Sequence, residues 1–516
     1  MKSESNLKLS KKLQNFSSFS EILNFTAERY PSQPFLVTNK GKWTYEQFNK
    51  KVNQCSHFLY DLGLKPDEII SAVLRNSLDY LILYFACVRC RIRFNPFPTH
   101  VHAREILKKI ESLDAKLLIC HNDHFTELTS SKIRLVNLDD IEAKSFLEVL
   151  NQYPENTFKA PEVKENQTAI LYYSSGTTGN PKLIEYTHRS MVMSQASMVR
   201  AGYVNPSEKH LCVLPLGHTA ALRHTIKPCI CTGSTVYLYE SFWKIRNEIW
   251  NIVEQNGINF FNIVPTILIA MMNMSYPDFS QDQIRTMKFI ACSSAILPRK
   301  LQTGFQERFG IPVSNLYGCS EIGAAFFDNP LSPGWTAGSV GKPFDVFQAT
   351  IFNEKKEIVE PGTTGEIGVS GSGVLKGYLN DPDAFQASMH QGYFMTGDLG
   401  YVDDDGSFHY VDRKKDLIIK AGINIAPSQI DELLQTHPSV KEVATVGKPD
   451  PYLGETIKSF IILKENSKVD KKELLLFCKT ELGDFKTPSE IEFVESLPKG
   501  PSGKILKREL RAKSVS

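Results

Sequence analysis

Ser174–Lys182 reads SSGTTGNPK and follows directly on Thr168–Tyr173, TAILYY, an apolar run of β-branched and aromatic residues. The run predicts a buried strand, and the small hydroxyl residues and glycines that leave it predict a loop whose backbone N–H groups and hydroxyls converge on an anion. The spacing excludes two commoner phosphate cradles. No GxxxxGK followed by Ser or Thr occurs in the chain, and no GxGxxG follows a strand.

Outward from that loop, from Ser20 to about Val411, short runs such as LLICH, RLVNL, FFNIV and KFIACS alternate with helical patterns such as EILNFTAERY, EQFNKKVNQCSHFLYDLG and LPRKLQTGFQERFG. This alternation predicts α/β layers with largely parallel sheets. After Asp412 the texture changes: a helix SQIDELLQTH, strands around EVATVGKP and IKSFIILK, and a helix DKKELLLFCKTELG predict a compact α+β unit. The expected organisation is a disordered lead-in over 1–15, a large α/β domain of layered subdomains over 16–411, and a small, mobile α+β domain over 412–516. The charged junction VDRKKD is the expected hinge.

At 516 residues the chain exceeds what one hydrophobic core supports, so at least two domains are required. Its 59 Lys and Arg against 57 Asp and Glu leave a net charge of +2, with no global basic field to serve a dedicated nucleic-acid binder. Small molecules are the expected partners. The ten cysteines are scattered, and the close pairs Cys87/Cys90 and Cys229/Cys231 lack the further ligands of a zinc site. Cys87 and Cys90 lie in the apolar run LILYFACVRC, where they are expected to pack on one helix face. The N-terminal MKSESNLKLSKKLQNFSS has no apolar core and reads as neither signal peptide nor span. The most apolar long stretch, Ile258–Met274, is broken by Asn259, Asn262 and Pro265, so no transmembrane segment is expected. A reduced, cytoplasmic setting fits this composition.

Four distant segments extend the first. YGCSEIG at Tyr317–Gly323, TGDLGYVDDDG at Thr396–Gly406, DRKKDLIIKAGINIAP at Asp412–Pro427 and PSGKILKREL at Pro501–Leu510 follow in that order. Together with SSGTTGNPK they resemble the ordered signature motifs of the adenylate-forming enzymes: acyl- and aryl-CoA ligases, including 4-coumarate–CoA ligase-like enzymes, peptide-synthetase adenylation domains and firefly-type luciferases. The resemblance runs from about Phe16 to Leu510. It implies ATP-dependent conversion of a carboxylic acid to an acyl adenylate, then thioester formation with coenzyme A, with Mg2+ as the metal. Bringing two anions together requires charge neutralisation and in-line positioning.

The resemblance implies a role for each matching residue. Ser174, Ser175, Gly176, Thr177, Thr178, Gly179 and Lys182 would hold the ATP phosphates, with Thr178 among the catalytic groups; Leu183 departs from the glycine that commonly follows the lysine. Glu321 would be the magnesium ligand, Tyr317 would stack on adenine, and Ser320 stands where threonine is usual. Asp398 would accept hydrogen bonds from both ribose hydroxyls, which an ionised carboxylate suits, and Arg413 would make a second ribose and phosphate contact. Asp403–Asp405 more readily form a solvated turn ending at Gly406 than a calcium loop, because Glu is missing at the last position of that template. Lys504 would stabilise the charge that builds on phosphorus. In a second half-reaction the small domain would rotate about Asp412 and Lys415 and bring Gly422 to a thiol channel.

The acid is less legible. LPLGHTAALRH at Leu214–His224 resembles the segment bearing a histidine at the acyl-pocket entrance, here His218, with Gly217 replacing the usual aromatic residue. Ala220, Arg223 and His224 share one face if the segment is helical, and predict a pocket that tolerates or pairs with a polar or acidic group. CSSAIL at Cys292–Leu297 replaces a usually Gly-rich stretch, and RCRIRFNP at Arg89–Pro96 places arginines, readable as surface positions, in a usually apolar segment. An acidic residue to meet an amino acid's ammonium group is missing from LPLGHTAAL, and no residue argues for a luciferin. Besides the CoA ligase, two readings stay open at this point: an enzyme that loads the acid onto the phosphopantetheine of an acyl carrier protein, and a non-catalytic nucleotide-binding protein.

Overall fold

The computed structural model describes residues 4–515 apart from 130–131, 165, 174–181, 296, 466 and 500–504. Its largest sheet has nine strands in the order Lys342–Pro343, Gly323–Phe327, Val313–Cys319, Phe289–Ser293, Phe260–Ile263, Lys209–Cys212, Thr235–Leu238, Pro34–Thr38 and Gly41–Thr44. The five central pairings are parallel and the edges antiparallel. A second sheet of seven strands has the same character: Ile69–Val73, Arg93–Phe97, Ala115–Cys120 and Arg134–Asn137 run parallel to Thr168–Tyr173, and the edge beyond it is antiparallel. Strands such as Ile69–Val73 and Phe289–Ser293 are buried at every position, which is why they are mostly apolar with only small polar residues, Ser71 and Ser293, among them.

The helix Leu78–Cys90 is buried at every residue except Asp79, as its all-round apolar sequence requires. It starts where Ser77 Oγ accepts from the Tyr80 N–H and ends at Arg91 in the left-handed conformation, φ 61°. Cys87 and Cys90 pack inside it, and all ten cysteines are free thiols. Ile258–Met274 divides into the strand Phe260–Ile263 and the helix Pro265–Asn273. Among the described residues no helix is long and apolar enough to cross a membrane.

Three expectations are corrected. Between Phe347 and Arg413 the sheet is antiparallel throughout, built from Phe347–Phe352, Gly365–Gly371, Met389–His390, Tyr393–Val402 and Phe408–Arg413. Loops as short as the Asp403–Ser407 turn can join only antiparallel neighbours. In that turn the Ser407 N–H donates to Asp403 Oδ1 and Asp405 Oδ1, and Gly406 takes φ 83°. The lead-in expected to be disordered contains a helix, Glu4–Leu13, whose Asn6, Ser10 and Leu13 are buried; Asn6 Nδ2 donates to Asn205 Oδ1 at 2.9 Å. Arg89 and Arg91 are buried, not on the surface. The Arg89 guanidinium donates to Ser20 Oγ, Asn53 Oδ1, Asn24 Oδ1 and Asn49 Oδ1, so its buried charge is met by four oxygens from two neighbouring helices.

The C-terminal sheet, Ile418–Lys420, Ile423–Ile425, Val440–Asp450, Gly454–Leu463 and Glu490–Phe493, closes on the helices Pro427–Gln435 and Lys471–Lys486 around its own core of Ile430, Leu434, Ile457, Ile461 and Leu474.

Candidate active site

Strand Thr168–Tyr173 pairs antiparallel with Leu183–Thr187, Tyr173 opposite Leu183, so the segment between them is the connection of a hairpin. Ser174, Ser175, Gly176, Thr177, Thr178 and Gly179 lie outside the described residues. Lys182, at the hairpin's return, holds its Nζ 4.4 Å from the ring centre of Tyr378. Tyr378 sits in the short strand Gly377–Tyr378 on the outer edge of the hairpin and donates from its hydroxyl to Glu321 Oε1 at 2.9 Å. Burial and the Glu321 charge push the phenol well above its ordinary pKa, so it remains a donor. Cation, ring and carboxylate form one chain. Sequence reasoning missed Tyr378; its signal was the Gly-Tyr pair of KGYLNDP.

Among the described residues no three His, Cys, Asp or Glu side chains converge to hold a metal. A lone Glu321, with Oε2 outside the Tyr378 hydrogen bond, fits a Mg2+ ion whose other ligands are phosphate oxygens and water. Such an ion would neutralise phosphate charge.

Tyr317, Asp398 and Arg413 come together at the neighbouring strand ends. Tyr317 Oη donates to Asp398 Oδ2 at 2.8 Å, and Arg413 Nε lies 3.2 Å from Asp398 Oδ1. Asp398 and Arg413 face one another in the antiparallel register, which fixes the pair through the backbone. Burial pulls the guanidinium pKa down, but the Asp398 charge outweighs it and the net shift is upward. Gly318 is obligatory here, because a Cβ would stand 1.7 Å from the Gly323 carbonyl oxygen. The Ser320 carbonyl accepts from Tyr186 Oη at 2.8 Å.

These groups open on a cleft of about 1020 Å³ that Ser294, Tyr317, Asp398 and Arg413 line from one side and Glu432, Lys441 and Lys507 from the other. Ser294, a non-glycine residue, takes φ 73°, where the resemblance led us to expect glycine. Lys504 lies outside the described residues; Lys499 and Ile505, which flank its loop, pair as an antiparallel bridge and line the cleft. Asp412 is buried, its Oδ1 accepting from the Arg413 N–H and its Oδ2 from the Ser428 N–H, which ties the strand Phe408–Arg413 to the first turn of Pro427–Gln435. Partial burial and then Arg413 lower the pKa of Lys415. Gly422, φ 78°, is exposed between Ile418–Lys420 and Ile423–Ile425 and does not line the cleft.

The acid segment is helical, but not uniformly. Thr219–Ala221 is α-helical, Leu222–Ile226 is a π-turn, and Lys227–Thr232 is α-helical again. His218 caps the first turn with its ring 5.8 Å from that of His100, a neighbour the sequence did not disclose. A side chain at Gly217 would press to 3.0 Å on the Phe97 carbonyl oxygen and Pro98 Cα, which accounts for the missing aromatic residue. Ala220, Arg223 and His224 are all buried. The wide π-turn sends the two adjacent basic residues to different walls. Arg223 Nη2 donates to Tyr186 Oη at 2.5 Å and its guanidinium lies over that ring, beside Gly323. His224 Nδ1 faces Ser293 Oγ at 3.5 Å, and burial, with Arg223, pulls the imidazole down to about 3.

A hairpin with a lysine at its return, a lone carboxylate suited to magnesium, the Tyr317–Asp398–Arg413 cradle on the cleft and a largely buried basic segment that begins at His218 fit an enzyme that brings a nucleotide to a carboxylate. The model of the AMP-binding enzymes matches residues 23–379, and that of the AMP-binding enzyme C-terminal domain matches 429–504. The chain is 30% identical over 504 residues to the sulfoacetate–CoA ligase of Cupriavidus necator, covering 96% of this chain and 97% of that one. It is 30% identical over 505 residues to the oxalate–CoA ligase of Arabidopsis thaliana, covering 95% and 97%. The ATP-bound MatB of Rhodopseudomonas palustris has the same fold, with a TM-score of 0.88 at 23% identity over 96% of this chain and 98% of that one. The chain belongs to the AMP-binding enzymes. It is an AMP-forming acid–thiol ligase that uses ATP, Mg2+ and coenzyme A to convert a carboxylic acid to its acyl adenylate and then to the thioester.

Proposed function

We propose that the acid this ligase activates is short and carries a second anionic group, as a short dicarboxylate or a sulfonated carboxylate does. The observation that carries the reading is the Arg223 guanidinium. It is buried at the acid segment with a phenol as its partner, and among the described residues no carboxylate lies within ion-pairing distance of it. A fatty acid needs an apolar wall at this position; an anion meets a cation already stripped of water. The relatives named for sulfoacetate and oxalate act on acids of this kind.

The same proposal assigns the roles. Ser174–Gly179 and Lys182 bind the ATP phosphates, with Thr178 assisting the transfer. Glu321 carries the metal, Tyr317, Ser320, Asp398 and Arg413 hold the nucleoside, His218 guards the acid entrance, and Lys504 stabilises the charge on phosphorus. The large domain ends at Val411, Asp412 and Lys415 form the hinge, and Gly422 reaches the thiol path only after the small domain turns. Ten free thiols, nine of them buried, support a cytoplasmic setting.

Acid-dependent pyrophosphate exchange tests this reading. Arg223→Gln is expected to lower the ratio of kcat/KM for a dianionic acid to that for a plain monocarboxylate by about 100-fold. An unchanged ratio in a folded variant contradicts it. Lys504→Ala is expected to abolish most exchange with either acid while ATP still binds.

A further inference from the structure

One turn beyond Arg223 and His224 the acid segment presents a third basic side chain. Lys227 follows Arg223 by four residues and His224 by three, across the return from π-turn to α-helix, and is 5% exposed. Its ammonium makes no hydrogen bond or ion pair with any described residue. His224 Nε2 is likewise buried without a partner. The titratable groups that act on this cluster are Tyr84 from the helix Leu78–Cys90, Tyr172 and Tyr186 from the hairpin strands, and Cys231 one turn further on, none an acid at neutral pH; Cys319 and the Glu321 carboxylate act in turn on Tyr186. Three neighbouring basic residues are thus enclosed with phenols, amides and thiols, and among the described residues no carboxylate forms an ion pair with any of them.

An ammonium enclosed in this way is unfavourable unless it loses its proton or an anion arrives. Burial and then Arg223 pull the Lys227 amine down to about 7, so at neutral pH it stands ready to take up a proton with an incoming anion. With the imidazole of His224 held neutral by burial, Arg223 and Lys227 are the two groups able to present positive charge.

We propose that Lys227 is a specificity-determining residue of the acid pocket: with Arg223 it supplies the counter-charge for the acid's second anionic group, so that only a doubly charged acid completes the pocket electrostatically. The inference rests on the reading of the acid given above and deepens it by naming the residue that selects for the second charge. No covalent step is involved. The acid's reacting carboxylate is left to the phosphate end of the site while its distal anion is drawn toward Lys227.

The test compares the full-length wild type, Lys227→Met and Lys227→Arg in pyrophosphate release, with sulfoacetate or oxalate as the dianion and acetate or propionate as the monoanion. Lys227→Met is expected to lower the dianion-to-monoanion ratio of kcat/KM by about 30-fold, mostly through KM, and Lys227→Arg to restore most of it. In the wild type this ratio is expected to fall as pH rises above about 7, where the free amine loses its proton, and in Lys227→Arg to stay level. Thermal stabilisation by the dianion alone is expected in the wild type and Lys227→Arg but not in Lys227→Met. If Lys227→Met does not fold, Lys227→Gln serves the same comparison. A ratio unchanged by loss of the charge overturns the role of Lys227 while leaving the acid assignment standing. A wild type that turns over monoanions and ignores every dianion overturns the acid assignment itself.

Discussion

Tyr317 donates its phenolic proton to Oδ2 of Asp398, 81 residues further along the chain, at 2.8 Å. The bond locks the aromatic ring to the carboxylate while Arg413 approaches the other oxygen, so the three side chains proposed to hold the nucleoside are one unit. Asp398→Ala is therefore expected to lower kcat/KM for ATP by about 100-fold or more, since it removes the acceptor and leaves Arg413 unpaired. Tyr317→Phe keeps the ring and loses one neutral donor, with an expected loss of about 5- to 10-fold. Steady-state kinetics in ATP checks the order of the two effects.

The chain Lys182–Tyr378–Glu321 makes a second prediction. Glu321→Gln keeps the shape and the Tyr378 hydrogen bond but weakens the proposed magnesium ligand, so activity is expected to fall by about 100-fold and to need more Mg2+ to saturate, with the melting temperature unchanged. Tyr378→Phe frees the carboxylate and is expected to cost less, about 10-fold. Magnesium titration at fixed ATP reads both.

Ser294 lines the cleft with a left-handed backbone. Ser294→Gly is expected to stabilise the protein by up to about 1 kcal/mol, and Ser294→Val to destabilise it by about 2 kcal/mol, because a β-branched residue resists positive φ. Thermal unfolding of the two variants gives the sign of each.

Glu208 governs part of the acid stability. Burial raises its pKa, but His210 and Lys288, with the Asn205 N–H, outweigh burial and bring it down to about 2. Its folded value is below its unfolded one. The stabilisation is thus present above about pH 4.5 and lost as pH falls toward 2, and amounts to about 3 kcal/mol at neutral pH. Glu208→Gln is expected to flatten the pH dependence of unfolding across that window.

The order of the five motifs made the family legible, and the AMP-binding enzyme models match most of the same stretch of chain; the register of Asp398 opposite Arg413 brings together two of the residues those motifs singled out. Strands buried on both faces, such as Thr168–Tyr173, also declared themselves by a run of apolar, β-branched and aromatic residues. The helix Glu4–Leu13 did not, because two of its three buried positions, Asn6 and Ser10, are polar and carry no apolar period. Arg89 read as surface because its four acceptors lie 36 to 69 residues away in the chain. Lys227 was passed over for a similar reason. A lysine before a proline resembles a helix end, and only the packing reveals that it is enclosed. The π-turn that parts Arg223 from His224 has no sequence signature either.

The most direct test of the account is AMP release from ATP and Mg2+ across a panel of carboxylic acids, matched in length and differing in a second charge, each with and without coenzyme A. The account predicts that short dianionic acids stimulate release, that coenzyme A raises it further, and that plain fatty acids do little. Strong turnover of plain fatty acids with none of the dianions, or release indifferent to coenzyme A, would contradict it.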